Sequence, residues 1–199
     1  MIILDRNMPE ISNDNKFIAR KLASAFGGRP SVREYLHDNL PLKIDLLSCQ
    51  DQPEEGVVSY GTIGVSDYSL RWGGGEFETR LEICGAIESS VEYFPNIITS
   101  AAFNIIRSRA VCYPGICMEN YVKEYYPHTI LPHLYFTSPF LWEDLKTTAL
   151  KEKIVTWLLC FPVSQAEVEI LRREGDGAFE DLLEAKGVDI FDFDRNSVV

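Results

Sequence analysis

Positive charge is scarce in this chain. Nineteen Lys and Arg stand against 30 Asp and Glu, a formal net charge of −11 over 199 residues. Proteins that hold nucleic acid concentrate Lys and Arg to neutralise phosphates, so direct nucleic-acid binding is excluded as the expected role. An anionic membrane surface would repel the chain for the same reason. The partner such a charge steers is a basic protein, often one that itself handles nucleic acid. Histidine is scarcer still, at three residues. His128 and His133 are five apart, Pro132 keeps one helix from presenting both, and His37 is remote, so no metal-ligand spacing results. The five cysteines (Cys49, Cys84, Cys112, Cys117 and Cys160) are odd in number and irregularly spaced. They read as reduced, buried thiols and not as a disulfide framework. The longest apolar stretch, residues 154–163, is interrupted by Thr156 and far too short to span a bilayer. Residues 1–6 lack the cationic start and apolar run of a signal peptide. A cytoplasmic location is therefore expected. No repeat or low-complexity segment divides the chain, and a single domain over 1–199 is expected.

Catalytic motifs are missing too. Cys112 and Cys117 bracket Pro114-Gly115 with His128 downstream, but no nucleophile signature surrounds either cysteine. The glycine run 73–75 leads into a strand with no Lys-Ser/Thr pair, which matches neither phosphate-binding fingerprint. Glu78 and Glu82 have the reach of an acid–base pair, yet Arg80 lies between them and would neutralise it. The expectation is a chain with no catalytic residue, no cofactor and no bound metal, acting by binding another protein.

What is present reads as alternating helix and strand. Asn13 is expected to cap a first helix whose Phe17, Ile18, Leu22 and Phe26 recur at helical spacing, ended by Gly27 and Gly28. Strands are expected over 32–36, 42–48 and 57–65, with the acidic residues 51–55 as a loop. From Glu76 to Gly85 the sequence alternates, Glu76, Glu78, Arg80, Glu82 and Cys84 facing one way, which predicts a sheet with one wet face. A second helix is predicted over 95–107, with strands over 131–137 and 154–161, the last buried on both faces. Ser164 and Glu167 form a capping box opening a helix to about Arg173, and Asp176 is expected to cap another ending at Gly187. The fold class expected is α+β, a largely antiparallel or mixed sheet with helices packed on one side of it.

Composition singles out the C-terminal tract. Residues 174–194 hold eight acids and one lysine, over half of the net charge. Phe179, Leu182, Leu183, Val188, Ile190, Phe191 and Phe193 are interleaved with them, so the segment is anchored and not a disordered tail. The candidate partner-binding residues are Glu180, Asp181, Glu184, Asp189, Asp192 and Asp194. A fixed anionic surface of this kind can imitate a nucleic-acid backbone to a basic protein. A solvated face that only maintains solubility is the alternative reading.

Several motifs resemble the suppressor-of-fused-like family, in particular its short bacterial members. They are Arg80-Leu81-Glu82-Ile83-Cys84-Gly85, the helix around 103–106, Cys112-Tyr113-Pro114-Gly115, the run His133 to Trp142, and Trp157 to Pro162. Ser164 to Glu167, Phe179 to Glu184 and Asp189-Ile190-Phe191-Asp192 complete the set, so the resemblance covers about residues 76–195. It implies an immunity protein, or antitoxin, that binds a cognate polymorphic toxin, often with a basic nuclease domain, without catalytic residues or cofactor. The alternative it implies is a cytoplasmic adaptor for a regulatory protein. The second, C-terminal domain of the large animal members is not expected here, so their transcription-factor role is not carried over.

Overall fold

The computed structural model describes residues 11–199; residues 1–6, read above as unlike a signal peptide, lie outside that range. Ser12, and not Asn13, caps the first helix: its hydroxyl accepts the Asn15 N–H at 3.0 Å, satisfying a first-turn donor. Helix α1 (Asn13–Phe26) buries Ile18, Leu22 and Phe26. Strands β1 (Pro30–Leu36), β2 (Lys43–Gln50) and β3 (Val57–Ile63) then form an antiparallel meander. Strands β4 (Leu70–Trp72) and β5 (Gly75–Phe77) make a separate hairpin. Its turn needs the left-handed backbone of Gly73 (φ 58°) and Gly74 (φ 84°). The remaining elements are β6 (Thr79–Glu88), α2 (Phe94–Ser108), β7 (Cys117–Met118), β8 (His133–Thr137), β9 (Thr148–Ala149), β10 (Ile154–Val163), α3 (Gln165–Glu174) and α4 (Asp176–Ala185).

The main sheet has the order β1-β2-β3-β6-β10-β8-β7, with β9 also against β10. Its pairs are antiparallel except β6–β10, which is parallel, so the sheet is mixed and the chain is α+β as expected. Parallel neighbours need a long crossover, and the chain between β6 and β10 supplies it, carrying α2 across one face. Helices do not keep to one side. On one face α2 packs with Leu81, Ile83, Leu158 and Cys160; on the other α1, α3 and α4 pack with Cys84, Trp157, Leu159 and Phe161. The cause is that β6 and β10 are apolar on both faces, and each face needs a cover. Gly85 lets α2 approach, since a Cβ there would lie 3.1 Å from both the Phe94 ring and the Cys160 carbonyl.

The wet strand face expected from Glu76 to Cys84 is not what forms. The chain bends at Glu78, Arg80 is mostly buried and paired with Glu76, and Glu82 is completely buried. Alternation misled because Glu82 has partners remote in sequence. Its Oε1 accepts the N–H groups of Gly64 and Ser66, both at 3.0 Å, and its Oε2 accepts the Thr62 hydroxyl at 2.6 Å. From outside, the Lys153 ammonium donates to Ser66 and to Asp67 at 2.7 Å, and Asn15 of α1 donates to Asp67 at 2.8 Å. One turn thus joins α1, β6 and the approach to β10. Burial pushes the Glu82 carboxyl up to about 6 from 4.5, despite the hydrogen bonds that favour its ionised form.

Two measurements follow from the core. Trp157 is 1% exposed, so Trp157→Ala is expected to cost about 3–5 kcal/mol in chemical denaturation; an unchanged midpoint would contradict its burial. Glu82 binds its proton more tightly folded than unfolded. Its proton-linked contribution is therefore fully present below pH 4.5 and lost as pH rises through about 6. Glu82→Gln should remove that dependence, worth about 2 kcal/mol between pH 4.5 and 7. Parallel pH profiles for parent and variant would contradict it.

Candidate protein-binding surface

The acidic tract is held from its far end. At the start of α3 the predicted capping box forms: the Ser164 hydroxyl accepts the Glu167 N–H at 3.1 Å, and the Ser164 N–H donates to Glu167 at 2.8 Å. The Glu167 carboxylate does more than close the box. The Arg195 guanidinium donates to both of its oxygens, at 2.7 and 3.0 Å, and also to the Pro162 carbonyl at 3.1 Å. The Val198 N–H donates to the same carboxylate at 3.1 Å, and Ser164 and Ser197 share a hydroxyl bond of 2.7 Å. Both ion-pair partners are buried. Burial opposes ionisation of Glu167, but Arg195 and the surrounding N–H donors outweigh it and hold the carboxyl below its ordinary value.

Upstream, α4 begins at Asp176 with Gly175 as its N-cap, so Asp176 is the first helical residue and not the cap. Phe179 and Leu183 go into the core, which turns Glu180, Asp181 and Glu184 toward solvent. The chain then loops through Asp189, Asp192 and Asp194. Asp189 accepts the Phe191 N–H at 2.9 Å and Asp192 accepts the Asp194 N–H at 2.8 Å, so local side-chain turns fix this loop. Glu180, Asp181, Glu184 and Asp189 share one cleft of about 690 Å³. Its walls are apolar, with Phe161, Leu183 and Ile190 among them and the 62%-exposed Phe140 at its mouth. Asp192 and Asp194 do not line it; Asp192 is half-buried and Asp194 exposed beyond the cleft.

Glu180 differs from its neighbours. Its Oε1 accepts the Tyr135 hydroxyl at 2.8 Å and also the Thr137 hydroxyl, so it ties α4 to β8. Asp181 and Glu184 carry the uncommitted charge of the helix at this cleft. Three acids outside the tract join them: Glu54, Glu55 and Glu88 surround a smaller cleft of about 300 Å³ that Asp189 also lines. A backbone bond from the Glu88 N–H to the Phe191 carbonyl, 3.2 Å, seams the two segments together. Sequence reading placed Glu54 and Glu55 in a loop and gave them no role. Their acidity was visible, their proximity to Asp189 was not.

The excluded sites stay apart from this surface. His133 is buried; its Nδ1 accepts the Asn120 N–H at 3.0 Å, which leaves Nε2 to donate to Gln165 at 2.9 Å. It is a structural histidine. Burial pushes the Cys112 and Cys117 thiols up to about 12, far from a reactive thiolate. Among the described residues no group of His, Cys, Asp and Glu is arranged to hold a metal ion.

The sequence pattern of the Suppressor of fused protein (SUFU) family matches residues 41–196. Over 190 residues the chain is 42% identical to "Immunity protein YqcF" of Bacillus subtilis (strain 168), covering 95% of this chain and 99% of that protein. The fold is similar to a crystal structure of a SUFU homolog from Neisseria gonorrhoeae FA 1090, with TM-score 0.66, 14% identity, and 94% and 97% of the two chains covered. It is similar as well to a chain of the Sufu–Fu complex crystal structure, with TM-score 0.68, 14% identity, and 93% and 92% covered. Drosophila Suppressor of Fused aligns with TM-score 0.55 at 13% identity, over 78% of this chain and 42% of that one.

Removing one member of a buried ion pair strands the other, at about 3–5 kcal/mol. Arg195→Ala should therefore destabilise the protein by that amount in denaturant titration. The loss should shrink on acidification, because Glu167 contributes above its unfolded value near 4.5 and loses that contribution as pH falls through its lower folded value. An Arg195→Ala variant as stable as the parent at pH 7 would refute the clamp.

Proposed function

Because this chain belongs to the suppressor of fused protein family, we propose that it is an immunity protein: it binds a cognate toxin in the cytoplasm and neutralises it without catalysis. The 42% identity to a protein named as an immunity protein, running over nearly the whole of both chains, supports the role. The cleft supports the manner. Its apolar walls suit an inserted apolar side chain, and the acids at its rim suit Lys and Arg beside that anchor. A toxin with a basic, nucleic-acid-handling face, most simply a nuclease domain, has that chemistry. Bound there, the acidic surface would occupy the cleft that the toxin uses for phosphates. Among the described residues no helix is long and apolar enough to cross a membrane.

Charges free to steer a partner differ here from one tied into the fold. Asp181 and Glu184 are exposed on α4, with Phe179 and Leu183 on its buried side. Rim charges act mainly on the rate of encounter, and salt screens them over a Debye length of about 10 Å at 0.1 M. Asp181→Lys/Glu184→Lys should melt like the parent, associate roughly tenfold more slowly with the cognate toxin domain at low salt, and show a flatter salt dependence. Dissociation should change less. Glu180→Gln, by contrast, should lower stability through its Tyr135 and Thr137 bonds. Stopped-flow binding at two salt concentrations checks this. Parent-like association of the double-lysine variant at both would reduce the acidic rim to a solubility feature.

A further inference from the structure

We propose that the outer edge of β1 receives an extended segment of a protein partner, adding a strand to the sheet. That this partner is the one bound at the acidic cleft rests on the reading above; the competence of the edge does not. Six of the seven residues of β1 are exposed, and it pairs along its whole length with β2 on one side. Among the described residues nothing pairs with its other side. Exposed edges are ordinarily blunted by lysine, inward charge, a bulge or an interior proline. Here the proline is at the first position, and no lysine stands in the strand. Val32 and Leu36, 53% and 66% exposed, share one face with Glu34 between them.

Charge specifies the occupant. The register sets Glu34 directly opposite Asp45, two carboxylates in one row. Lys43, 2.9 Å from Glu34, is the cation that serves them. Burial and then the nearby Glu34 push the Asp45 carboxyl up, the sign of an incompletely compensated row. A basic residue opposite Glu34 on an added strand would extend the row favourably, with apolar residues opposite Val32 and Leu36. A second copy of this chain fits poorly. Two-fold antiparallel pairing must oppose residues of like backbone alternation, so it centres on a residue. Centring on Arg33 opposes two arginines, centring on Glu34 lengthens the row to Asp45–Glu34–Glu34–Asp45, and centring on Val32 brings Pro30, which has no N–H to donate, into the pairing and leaves Leu36 outside it. Like charges directly opposite are destabilising. The edge is also continuous with the acidic surface: Pro30 pairs with Cys49, and β2 ends one residue later, where the loop bearing Glu54 and Glu55 begins.

The test is hydrogen–deuterium exchange of the full chain with a synthetic strand, Thr-Val-Thr-Lys-Glu-Val-Thr, which sets Lys opposite Glu34 and Val opposite Val32 and Leu36. Exchange of the outward amides over residues 32–36 should slow at least tenfold with this peptide, and not with one carrying Glu in place of Lys. Val32→Lys/Leu36→Lys, at exposed positions, should abolish the protection while melting like the parent. Three results would overturn the proposal: equal protection by both peptides, amides already protected in the free chain at all concentrations, or protection that appears with chain concentration alone and marks a second copy. The peptide contains no toxin sequence, so its failure would leave the acidic-cleft kinetics untouched, and their failure would leave this result standing.

Discussion

The Glu167 carboxylate is the point on which the C-terminal acidic face of the molecule depends. It lies at the junction of three segments: the end of β10, the first turn of α3 and the final residues of the chain. A lone buried carboxylate would be expensive, and this one is tolerable because the fork of Arg195 and two backbone N–H groups, that of its capping partner Ser164 and that of Val198, saturate it. The consequence reaches beyond local stability. With Arg195 fixed at one end and Phe179 and Leu183 buried at the other, the loop through Asp189 and Asp192 has both ends tied. Like charges packed into a short segment repel, and a free tail would spread them. Here they are held side by side.

The sheet provides the frame for that restraint. Its central strands β6 and β10 are covered on both faces, so the elements above them have defined positions. Tyr135 and Thr137 on β8 reach up to Glu180, and Phe161 on β10 forms part of the cleft wall below it. The second buried carboxylate, Glu82, works at the opposite end of the sheet in a different way. Among the described residues it has no paired cation and is held by hydroxyl and N–H donors, which is why its proton affinity rises where that of Glu167 falls. Two buried glutamates thus give the fold opposite responses to pH.

Much of this was legible in the sequence where partners are close along the chain. The capping box is spaced by three residues, the apolar run of β10 is continuous, and the α4 stripe of Phe179 and Leu183 has helical period. Readings failed where the partner is distant. Glu82 looked solvated because strand alternation carries no record of the Gly64–Ser66 turn, and Arg195 lies 28 residues beyond the glutamate it binds. Helices on both faces were hidden because alternation was read over Glu76–Gly85 although the chain bends at Glu78. The short strand β4 has three residues, too few to show a period. The acids Glu54, Glu55 and Glu88 could not be assigned to the surface from sequence, since only the fold sets them beside Asp189. The family resemblance carried the functional expectation further than composition did, and 42% identity to a protein named as an immunity protein, over nearly the whole chain, supports its coarser part, the immunity role.

The proposed interface is a fixed acidic face rimming an apolar cleft, and it requires particular carboxylates to meet the partner. Zero-length carbodiimide cross-linking joins a carboxylate to a lysine only in direct contact. Applied to the complex with the proposed cognate toxin and read by mass spectrometry, it should link Asp181, Glu184 and Asp189 to toxin lysines, with Glu54 or Glu55 as a second cluster. A stable, neutralised complex whose links avoid all of these residues would place the interface elsewhere and contradict the account.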